Sequence, residues 1–293
     1  MIAALMTVYH PSDDMRDHAY RIAQQTDLVY ICDNSPVSNH LLFADLAENI
    51  RYVPFLENLG LSQAFNKVLK DPDIPWQDSD YVIFFDQDSA VEPGHIATMV
   101  EQYRQLAAAG HSPGCLGPVY FNTSSGQVEI PKAKTKLTET TYAVSSIITS
   151  SMLCTYGSLR EIGFWDEHVF LDMADWELCW RMHDFGKQCC LTNAVILQHT
   201  LGSGEKKIGP FRLRVGQPLR EYYQIRECLY LLGQRHTPLK YRIRFVAMLL
   251  VRSPLHLLFL DHRKERLHYI TRGFRDFFRG KTGSLEELNQ ISV

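Results

Sequence analysis

Apolar runs of strand length alternate with helix-like stretches along the first third of the chain. Four of these runs are predicted as buried strands: 2–9, 28–32, 50–55 and 81–85. Between them, apolar residues at helical spacing predict helices at 14–25 and through Ala64 to Leu69. Strands that alternate with helices are typical of an α/β fold with a mostly parallel central sheet flanked by helices.

The middle of the chain has a less regular pattern. From about 112 to 155, Gly, Thr, Ser and Lys are interleaved with apolar residues, which predicts short strands and a loop around 132–141. Farther on, Leu178, Cys179 and Met182 recur at helical spacing, and Asp175 lies near the start of the predicted helix. A carboxylate is favoured there by the positive end of the helix dipole.

The fourth predicted strand runs directly into an Asp-x-Asp sequence formed by Asp86 and Asp88. On an extended backbone side chains alternate with a period of two, so both carboxylates are expected on one side. Carboxylate oxygens suit Mg²⁺ or Mn²⁺, and such sites leave positions open for substrate phosphates. The alternative is a simple turn after a strand, because Asp and Ser are common turn formers.

Other polar or aromatic residues lie at or just beyond the ends of the predicted strands. They are Tyr9, Asp33 and Asn58, in addition to Asp86. Ligands of open α/β sheets bind at the carboxyl ends of the strands. We therefore expect these residues to converge on one crevice.

Charge divides the 293-residue chain into two parts. The net charge is −3 overall, but residues 1–205 carry −14 and residues 206–293 carry +11. We predict a catalytic domain over 1–205 and a basic helical region over 206–293. A basic region favours an anionic partner, either a membrane leaflet or nucleic acid. No recognised nucleic-acid-binding module accompanies it, so we predict no nucleic acid partner.

Cysteine usage and hydropathy indicate the compartment. The seven cysteines are odd in number and include no Cys-x-x-Cys pair, which is typical of buried thiols in a reducing compartment. The N-terminal residues resemble a core strand rather than a signal peptide. The longest apolar stretch, 245–251, is too short to cross a bilayer. These features predict a cytoplasmic protein.

Seven motifs occur in an order that is similar to a known family. They are Thr7-Val8-Tyr9, Asp33-Asn34-Ser35, Asn58-Leu59-Gly60 through Asn66, Asp86-Gln87-Asp88, Asp172-x-x-Asp175-x-Glu177-x-x-x-Arg181, His199-Thr200-Leu201-Gly202 and Arg220-x-Tyr222-Tyr223-x-x-Arg226. The chain resembles the inverting GT-A glycosyltransferases of family 2, and among them the bacterial rhamnosyltransferases of surface-polysaccharide assembly. The resemblance implies a GT-A fold, which is Rossmann-like.

The resemblance also implies a metal site and a catalytic base. Asp88 and His199 would bind Mg²⁺ or Mn²⁺, and Asp86 would lie nearer the ribose of the nucleotide. Asp175 would remove the proton of the acceptor hydroxyl, a role that partial burial favours by raising its pKa. Alternatively, His199 is structural, and Asp175 is a helix cap.

By the same resemblance, the nucleotide-sugar donor is bound by residues from five motifs: Thr7, Tyr9, Asp33, Asn58, Asn66, Asp86, Arg220 and Arg226. Tyr9 would stack on the base, Asp33 would accept its N–H, and Arg220 and Arg226 would reach the diphosphate. Alternatively, Tyr9 is a core residue and the two arginines belong to a solvated basic face.

Two other features bear on this assignment. Glu177 and Arg181 have the i,i+4 spacing of an ion pair on one helix face. The chain also departs from the family, which often has Ser-Gly where Ser150-Ser151 stands and commonly has Arg-Asn where Arg226-Glu227 stands. The second departure weakens the assignment of Arg226 to a phosphate.

Residues 241–281 mix Lys and Arg with Phe, Leu, Ile and Tyr. Helices of this kind lie in the headgroup region of anionic membranes, so we expect peripheral contact with the inner face of the cell membrane. The alternative is packing of the apolar faces on the catalytic domain or on a second subunit.

The sequence thus predicts a metal-dependent rhamnosyltransferase. It would transfer L-rhamnose from dTDP-L-rhamnose to a polyprenyl-diphosphate-linked saccharide, in O-antigen or capsule-type polysaccharide synthesis. The alternatives are transfer from another dTDP or UDP sugar and a noncatalytic sugar-nucleotide binder or assembly scaffold. A nucleotidyltransferase could also use paired aspartates, but it would release pyrophosphate.

Overall fold

The computed structural model describes residues 1–122, 127–131, 133–199, 205–208 and 211–285. The described strands are β1 (Ile2–Val8), β2 (Leu28–Asp33), β3 (Ile50–Pro54), β4 (Tyr81–Asp86), β5 (Pro113–Asn122), β6 (Gln127–Glu129), β7 (Thr135–Lys136), β8 (Thr141–Val144), β9 (Met152–Thr155), β10 (Gln188–His199), β11 (Glu205–Ile208) and β12 (Phe211–Arg214).

The described helices follow the same order along the chain. They are α1 (Asp13–Ala23), α2 (Gly60–Leu69), α3 (His95–Ala108), α4 (Tyr156–Glu161), α5 (Ala174–Asp184), α6 (Leu219–Leu232), α7 (Leu239–Ala247), α8 (Ser253–Phe259) and α9 (Arg263–Phe278), with a π-helical turn (Met248–Arg252) between α7 and α8. The strands and helices predicted in the first third of the chain are confirmed, with ends that differ by a few residues.

One mixed sheet forms the centre of the fold. Its strands run in the order β3-β2-β1-β4-β9-β5-β10-β8-β7, with β6 beside β5. Strands β1 to β4 are parallel neighbours, whereas β9 runs antiparallel to both β4 and β5. The chain leaves β1 toward β2 and β3 and returns on the other side as β4, so the switch point of the sheet lies at β1 and β4.

The sheet has a hydrophobic core on each face, because successive strand side chains point to opposite sides. In β1, Leu5 belongs to the core beneath α2 and α5, whereas Ala4 and Met6 belong to the core beneath α1 and α3. The result is a three-layer α/β sandwich. The predicted α/β fold with a Rossmann-like central sheet is therefore confirmed.

The predicted basic helical region is present as α6 to α9, and it shares the core of the sheet. Tyr241 and Phe245 of α7 pack on Trp176 and Trp180 of α5, with ring centroids of Trp180 and Tyr241 4.6 Å apart. Within the described part of the chain, no helix combines the length and the apolar character needed to cross a membrane.

All seven cysteines are buried and free, as the sequence predicted. The sulfur atoms of Cys115, Cys179 and Cys189 lie within 4.8 Å of one another. Cys115 and Cys189 are register partners on the parallel strands β5 and β10, and Cys179 of α5 packs on them. We interpret the three thiols as small core residues, because all are fully shielded from solvent.

Candidate active site

The carboxyl ends of β1, β2 and β4 meet at one edge of the sheet and bring three of the predicted residues together. In the strand register Thr7 is the partner of Asp86, and Val8 is the partner of Asp33. Neighbouring strands lie about 4.8 Å apart, so these residues line one continuous edge. The expected convergence of Asp33 and Asp86 beside the end of β1 is confirmed.

Asp86 and Asp88 belong to a turn at this edge. Strand β4 ends at Asp86, and the Ser89 N–H donates to the Asp86 carbonyl at 3.1 Å. Asp86 is half-buried and its carboxylate accepts a hydrogen bond from the Ser150 hydroxyl, whereas Asp88 is exposed. The expectation of an extended backbone across Asp86 and Asp88 is wrong, because the backbone turns after Asp86; the alternative, a turn after the strand, is confirmed. Two carboxylates nevertheless remain at the switch point.

Tyr9 lies just beyond the end of β1 and contacts the same turn. Its backbone N–H donates to the side-chain oxygen of Gln87 at 2.8 Å, and its half-buried ring packs on His10 with centroids 4.2 Å apart. The turn that carries Asp88 is therefore tied directly to the end of β1. The ring is partly exposed at the sheet edge, and its stacking on a base stays a prediction.

Asp33 is buried and holds the segment that follows β2. Only 1% of the residue is exposed, and its carboxylate accepts hydrogen bonds from the Ser35 N–H (2.8 Å), the Asn39 amide (2.8 Å) and the Tyr52 hydroxyl (2.6 Å). Three internal donors satisfy most of its hydrogen-bonding capacity. The structure thus shows Asp33 as an anchor of the edge, and the contact to a base stays a prediction.

The two asparagines assigned to the nucleotide pocket have different surroundings. Asn58 is half-buried and caps the start of α2 by accepting the Gly60 N–H at 3.0 Å. Asn66 is 2% exposed, and its amide N–H groups donate to the Trp165 carbonyl (2.9 Å) and to Glu167 (2.7 Å). Asn66 fixes the 165–167 segment inside the protein, which argues against its assigned place in the pocket.

The loop 170–173 precedes α5 and is clamped from two sides. On one side the Leu61 N–H of α2 donates to the Phe170 carbonyl at 2.7 Å. On the other side Glu227 of α6 accepts the N–H groups of Phe170 (3.0 Å), Leu171 (2.8 Å) and Met173 (2.9 Å). Burial raises the pKa of Glu227 to about 8. Glu227, which stands where the family commonly has Asn, therefore has a structural role: it holds the loop 170–173.

Gly60 is required where α2 meets this loop. Its φ is +74°, and a Cβ atom there would lie 2.5 Å from the Phe170 carbonyl oxygen. Only glycine allows both the left-handed conformation and this close approach. Asn34, at the end of β2, completes the junction by donating to the Gly60 carbonyl at 3.1 Å.

Asp175 lies in the first turn of α5 and is half-buried. Burial raises the pKa of the Asp175 carboxyl well above its usual range, and the charges of Asp86 and Asp172 act in the same direction. Its carboxylate accepts the N–H of the next residue, Trp176, at 2.7 Å. A half-buried carboxylate with a raised pKa and like charges nearby is typical of a general base.

The two arginines assigned to the diphosphate also differ from each other. Arg220 forms an ion pair with Asp172, and 52% of its side chain is exposed. Arg226 is 3% exposed; it donates to the Tyr222 hydroxyl (3.1 Å) and the Gly283 carbonyl (2.8 Å) and lies over the Tyr222 and Tyr223 rings. The diphosphate role of Arg220 therefore stays a prediction, whereas Arg226 is a buried residue with internal hydrogen-bond partners and lies over the Tyr222 and Tyr223 rings.

Two further sequence predictions concern α5 and the end of β10. Glu177, 1% exposed, forms a two-point ion pair with Arg181, with both N–O distances 2.7 Å, so the predicted pair is confirmed. His199 is the last residue of β10 and the register partner of Asn122. The side chain of His199 and the residues 200–204 lie outside the described residues, so the metal role of His199 stays a prediction.

Sequence reasoning missed several residues that build this site. Ser150 contacts Asp86, Gln87 contacts the end of β1, and Asn34 joins β2 to α2. Ser and Asn in a loop carry no periodic signal, and their partners are distant in sequence. Asn34 and Gln87 each stand beside an assigned residue, Asp33 and Asp86, within a motif. This position is the signal in the sequence that could have identified them.

A comparison with protein families identifies the part of the chain that forms this edge. Residues 18–163 match the sequence model of glycosyl transferase family 2. The chain carries a family 2 glycosyltransferase domain. This match includes the strand ends at Asp33 and Asp86, whereas Asp175 lies beyond it.

A curated relative matches nearly the whole chain. The dTDP-rhamnosyl transferase RfbF of Shigella flexneri is 24% identical over 298 residues, which covers 96% of this chain and 97% of the relative. Together with the family match, this similarity supports a glycosyltransferase.

Solved structures share the fold. The crystal structure of GalNAc-T7 with UDP, GalNAc and Mn²⁺ superposes with a TM-score of 0.58 at 12% identity, covering 95% of this chain and 56% of that one. The S. aureus TarS structure gives 0.57 at 12% identity, covering 95% of this chain and 48% of TarS. The chain thus spans about half the length of these two structures. The likeness shows that the glycosyltransferase domain has the GT-A fold.

Proposed function

We propose that this protein is an inverting, metal-dependent rhamnosyltransferase that transfers L-rhamnose from dTDP-L-rhamnose to a lipid-linked saccharide. The observation that carries the proposal is the pair Asp86 and Asp88 at the switch point of the sheet, together with Asp175 in the first turn of α5, whose pKa burial and the charge of Asp86 raise. The similarity to a dTDP-rhamnosyl transferase supports the choice of donor. The pathway would be bacterial surface-polysaccharide synthesis of the O-antigen or capsule type.

Asp175 would act as the general base. Inversion requires that the acceptor hydroxyl attack the anomeric carbon from the face opposite the leaving diphosphate, losing its proton to a carboxylate on that side. A raised pKa makes the Asp175 carboxylate a better proton acceptor than an exposed aspartate. The clamp on residues 170–173 fixes the start of α5, and with it the position of this carboxylate.

The donor side would use the strand ends. Tyr9 would stack on the base, Thr7 and Asn58 would line the nucleotide pocket, and Asp86 would contact the ribose. Asp33 would hold this edge and contribute an acceptor to the base. Arg220, which is half exposed beside the loop 170–173, would reach the diphosphate. We leave out Asn66 and Arg226, because both are buried with internal partners.

The carboxylates at the switch point fit a divalent metal. Asp88 is exposed and offers carboxylate oxygens that suit Mg²⁺ or Mn²⁺, and the half-buried Asp86 adds negative charge beside it. Asp88 would hold the ion, with His199 as a further ligand. A bound ion would neutralise charge on the leaving diphosphate.

We also propose that the basic region, 206–293, attaches the catalytic domain, 1–205, to the inner face of the cell membrane. The outer face of the segment formed by α7, the π-helical turn and α8 is apolar, with exposed residues at helical spacing: Leu239, Ile243, Val246, Leu250, Pro254 and Leu258. Residues 228–260 contain five Lys and Arg and no Asp or Glu. An apolar stripe with cationic flanks matches an anionic lipid surface.

A donor screen tests the proposed reaction. Purified protein is given dTDP-L-rhamnose, other dTDP sugars and UDP hexoses with Mn²⁺ or Mg²⁺, and both the thermal shift and donor hydrolysis are measured. We expect the largest shift with dTDP-L-rhamnose and hydrolysis that a chelator abolishes. If only a UDP hexose binds, that sugar nucleotide replaces dTDP-L-rhamnose as the assigned donor. Release of pyrophosphate would indicate a nucleotidyltransferase.

Liposome co-sedimentation tests the membrane surface. Binding to vesicles that contain anionic lipid should fall with rising salt and be weakened by Leu250→Asp, which places a charge in the apolar stripe. Leu41→Asp is the matched control, because Leu41 is also largely exposed and lies outside the basic region. Absence of binding at low salt, or self-association through the stripe, would contradict the proposal.

A further inference from the structure

Ser151 has a backbone conformation that normally belongs to glycine. Its φ is +63°, and it occupies the third position of a turn closed by a hydrogen bond from the Met152 N–H to the Thr149 carbonyl, 2.9 Å. A positive φ at this position favours Gly or Asn, because a Cβ atom crowds the backbone. The surroundings of Ser151 must therefore stabilise this conformation.

His95 provides that stabilisation. It is the first residue of α3, is 4% exposed, and has its Nε2 atom 2.7 Å from the Ser151 hydroxyl. Burial lowers the pKa of His95 to about 4, so the ring is neutral at neutral pH. The Ser151 N–H donates to the Phe84 carbonyl of β4 at 2.7 Å. Ser151 is thus held at both its backbone and its side chain.

The turn that His95 holds lies directly against the candidate donor site. Ser150, the residue before Ser151, is fully buried, and its hydroxyl donates to the carboxylate of Asp86. If Ser151 relaxed to a negative φ, the peptide that links it to Ser150 would rotate. The Ser150 hydroxyl would then lose its alignment with Asp86.

We infer that His95 is a positioning residue for the donor site. By holding Ser151 in the left-handed conformation, it keeps the Ser150 hydroxyl against Asp86 and so fixes the orientation of that carboxylate. His95 itself touches no substrate. The inference rests on the proposed function, because Asp86 is assigned to the donor there.

Substitution of His95 tests this role through the donor KM. His95→Leu fills a similar volume but cannot hydrogen-bond, and we expect the KM for the donor to rise about tenfold, the scale of one lost buried hydrogen bond, with a smaller change in kcat. His95→Gln, which can present a nitrogen near the position of Nε2, should retain a nearly normal KM.

Rescue by glycine separates positioning from general destabilisation. Because Gly adopts a positive φ without help, adding Ser151→Gly to His95→Leu should restore most of the donor KM. In a Ser150→Ala background, which already lacks the hydroxyl that reaches Asp86, His95→Leu should raise the KM little further. Failure of the glycine rescue, or fully additive effects of His95→Leu and Ser150→Ala, would overturn the inference.

A control in the same helix accounts for stability. Gln102 of α3 is 8% exposed and hydrogen-bonds to Thr140 and Thr192, away from the turn. Gln102→Leu should lower the melting temperature about as much as His95→Leu while leaving the donor KM unchanged; a matching rise in KM would contradict a specific role of His95.

If the wild-type protein neither binds nor hydrolyses any nucleotide sugar, the proposed function fails. In that case Ser151→Gly should still raise the melting temperature of His95→Leu. This result would test whether His95 stabilises the turn, independently of the proposed function.

Discussion

Two regions of the molecule bury acidic side chains in opposite ways. In the acidic cluster at the start of α5, Asp175 lies near Asp86 and Asp172, and burial together with these like charges raises its pKa. In the charge network of α6, α8 and α9, Glu221 contacts His256 and Arg266, all less than 6% exposed. Burial alone would raise the pKa of Glu221, but its hydrogen bond with His256 and the charges of Arg252 and Arg266 hold it below its usual range.

The difference separates the carboxylate that we propose as the general base from a structural one. The charge network places cations against its acid, so it joins three helices without leaving a proton acceptor. The acidic cluster keeps Asp175 among like charges, which disfavours the ionised form and makes that form a stronger base. Functional sites commonly retain such local instability, because the chemistry requires it.

The largest effect should come from Asp175→Asn. Loss of a general base lowers turnover by about 10²–10⁴-fold, whereas donor binding, measured by thermal shift, should remain. Asp184→Asn is the matched control, because Asp184 is an exposed aspartate at the other end of α5. Unchanged transfer by Asp175→Asn would remove Asp175 as the base, and retained binding without transfer in the wild type would favour a noncatalytic binder.

Glu221→Gln should produce the largest loss of folding stability. Removing the charge leaves Arg266 and His256 buried beside a neutral amide, and breaking such a buried pair costs about 3–5 kcal/mol in the free energy of unfolding. Denaturant unfolding provides the measurement. Glu265→Gln, an exposed change on α9, should stay within about 0.5 kcal/mol. A loss at Glu221 as small as that of the control would show that the network contributes little.

The pH dependence of stability should have opposite signs in the two regions. The raised pKa of Asp175 means that its stabilising contribution is present at acid pH and is lost as pH rises through the folded-state value. Asp175→Asn should therefore melt at a higher temperature than the wild type at neutral pH, and the two should converge below the usual pKa of aspartate. Glu221 contributes above its usual pKa and loses that contribution as pH falls through its lowered value. Melting temperatures are measured from acid to neutral pH. A lower melting temperature for Asp175→Asn than for the wild type at neutral pH would refute the contrast.

The smallest effect on stability should come from Arg220→Gln. The ion pair between Arg220 and Asp172 is half exposed, so its removal should change the free energy of unfolding by less than about 1 kcal/mol. If Arg220 reaches the diphosphate, the KM for the donor should nevertheless rise. Arg235→Gln, an exposed arginine beyond α6, serves as the control for net charge. Equal KM values for both variants would remove Arg220 from the donor site.

The sheet edge was predictable from sequence, because apolar runs mark buried strands and polar residues mark where they end. This reasoning located Asp33 and Asp86 correctly, and the resemblance added Asp175. It also led to the expectation of an extended backbone across Asp86 and Asp88, which the turn after Asp86 contradicts. A local sequence pattern shows where the apolar residues of a strand end, but it does not show the backbone conformation that follows the strand.

The residues that fix the site were less accessible to sequence reasoning. The hydrogen bond between Glu227 and Phe170 joins residues 57 positions apart, and the one between His95 and Ser151 joins residues 56 apart. Such partners are set by how helices pack on the sheet, and no periodicity encodes them. Arg226 shows the same limit, because the resemblance suggested a phosphate contact whereas its packing places it over the Tyr222 and Tyr223 rings.

The junction at Gly60 also constrains how the enzyme can open. Helix α2 and the loop that leads to α5 meet there without room for a single methyl group, so they must move as one body. The turn that bears Asp88 is held by different contacts: the Gln87 side chain accepts the Tyr9 N–H, and the Gln87 carbonyl lies 3.1 Å from His18 Nδ1. A displacement of this turn would therefore leave the Gly60 junction intact.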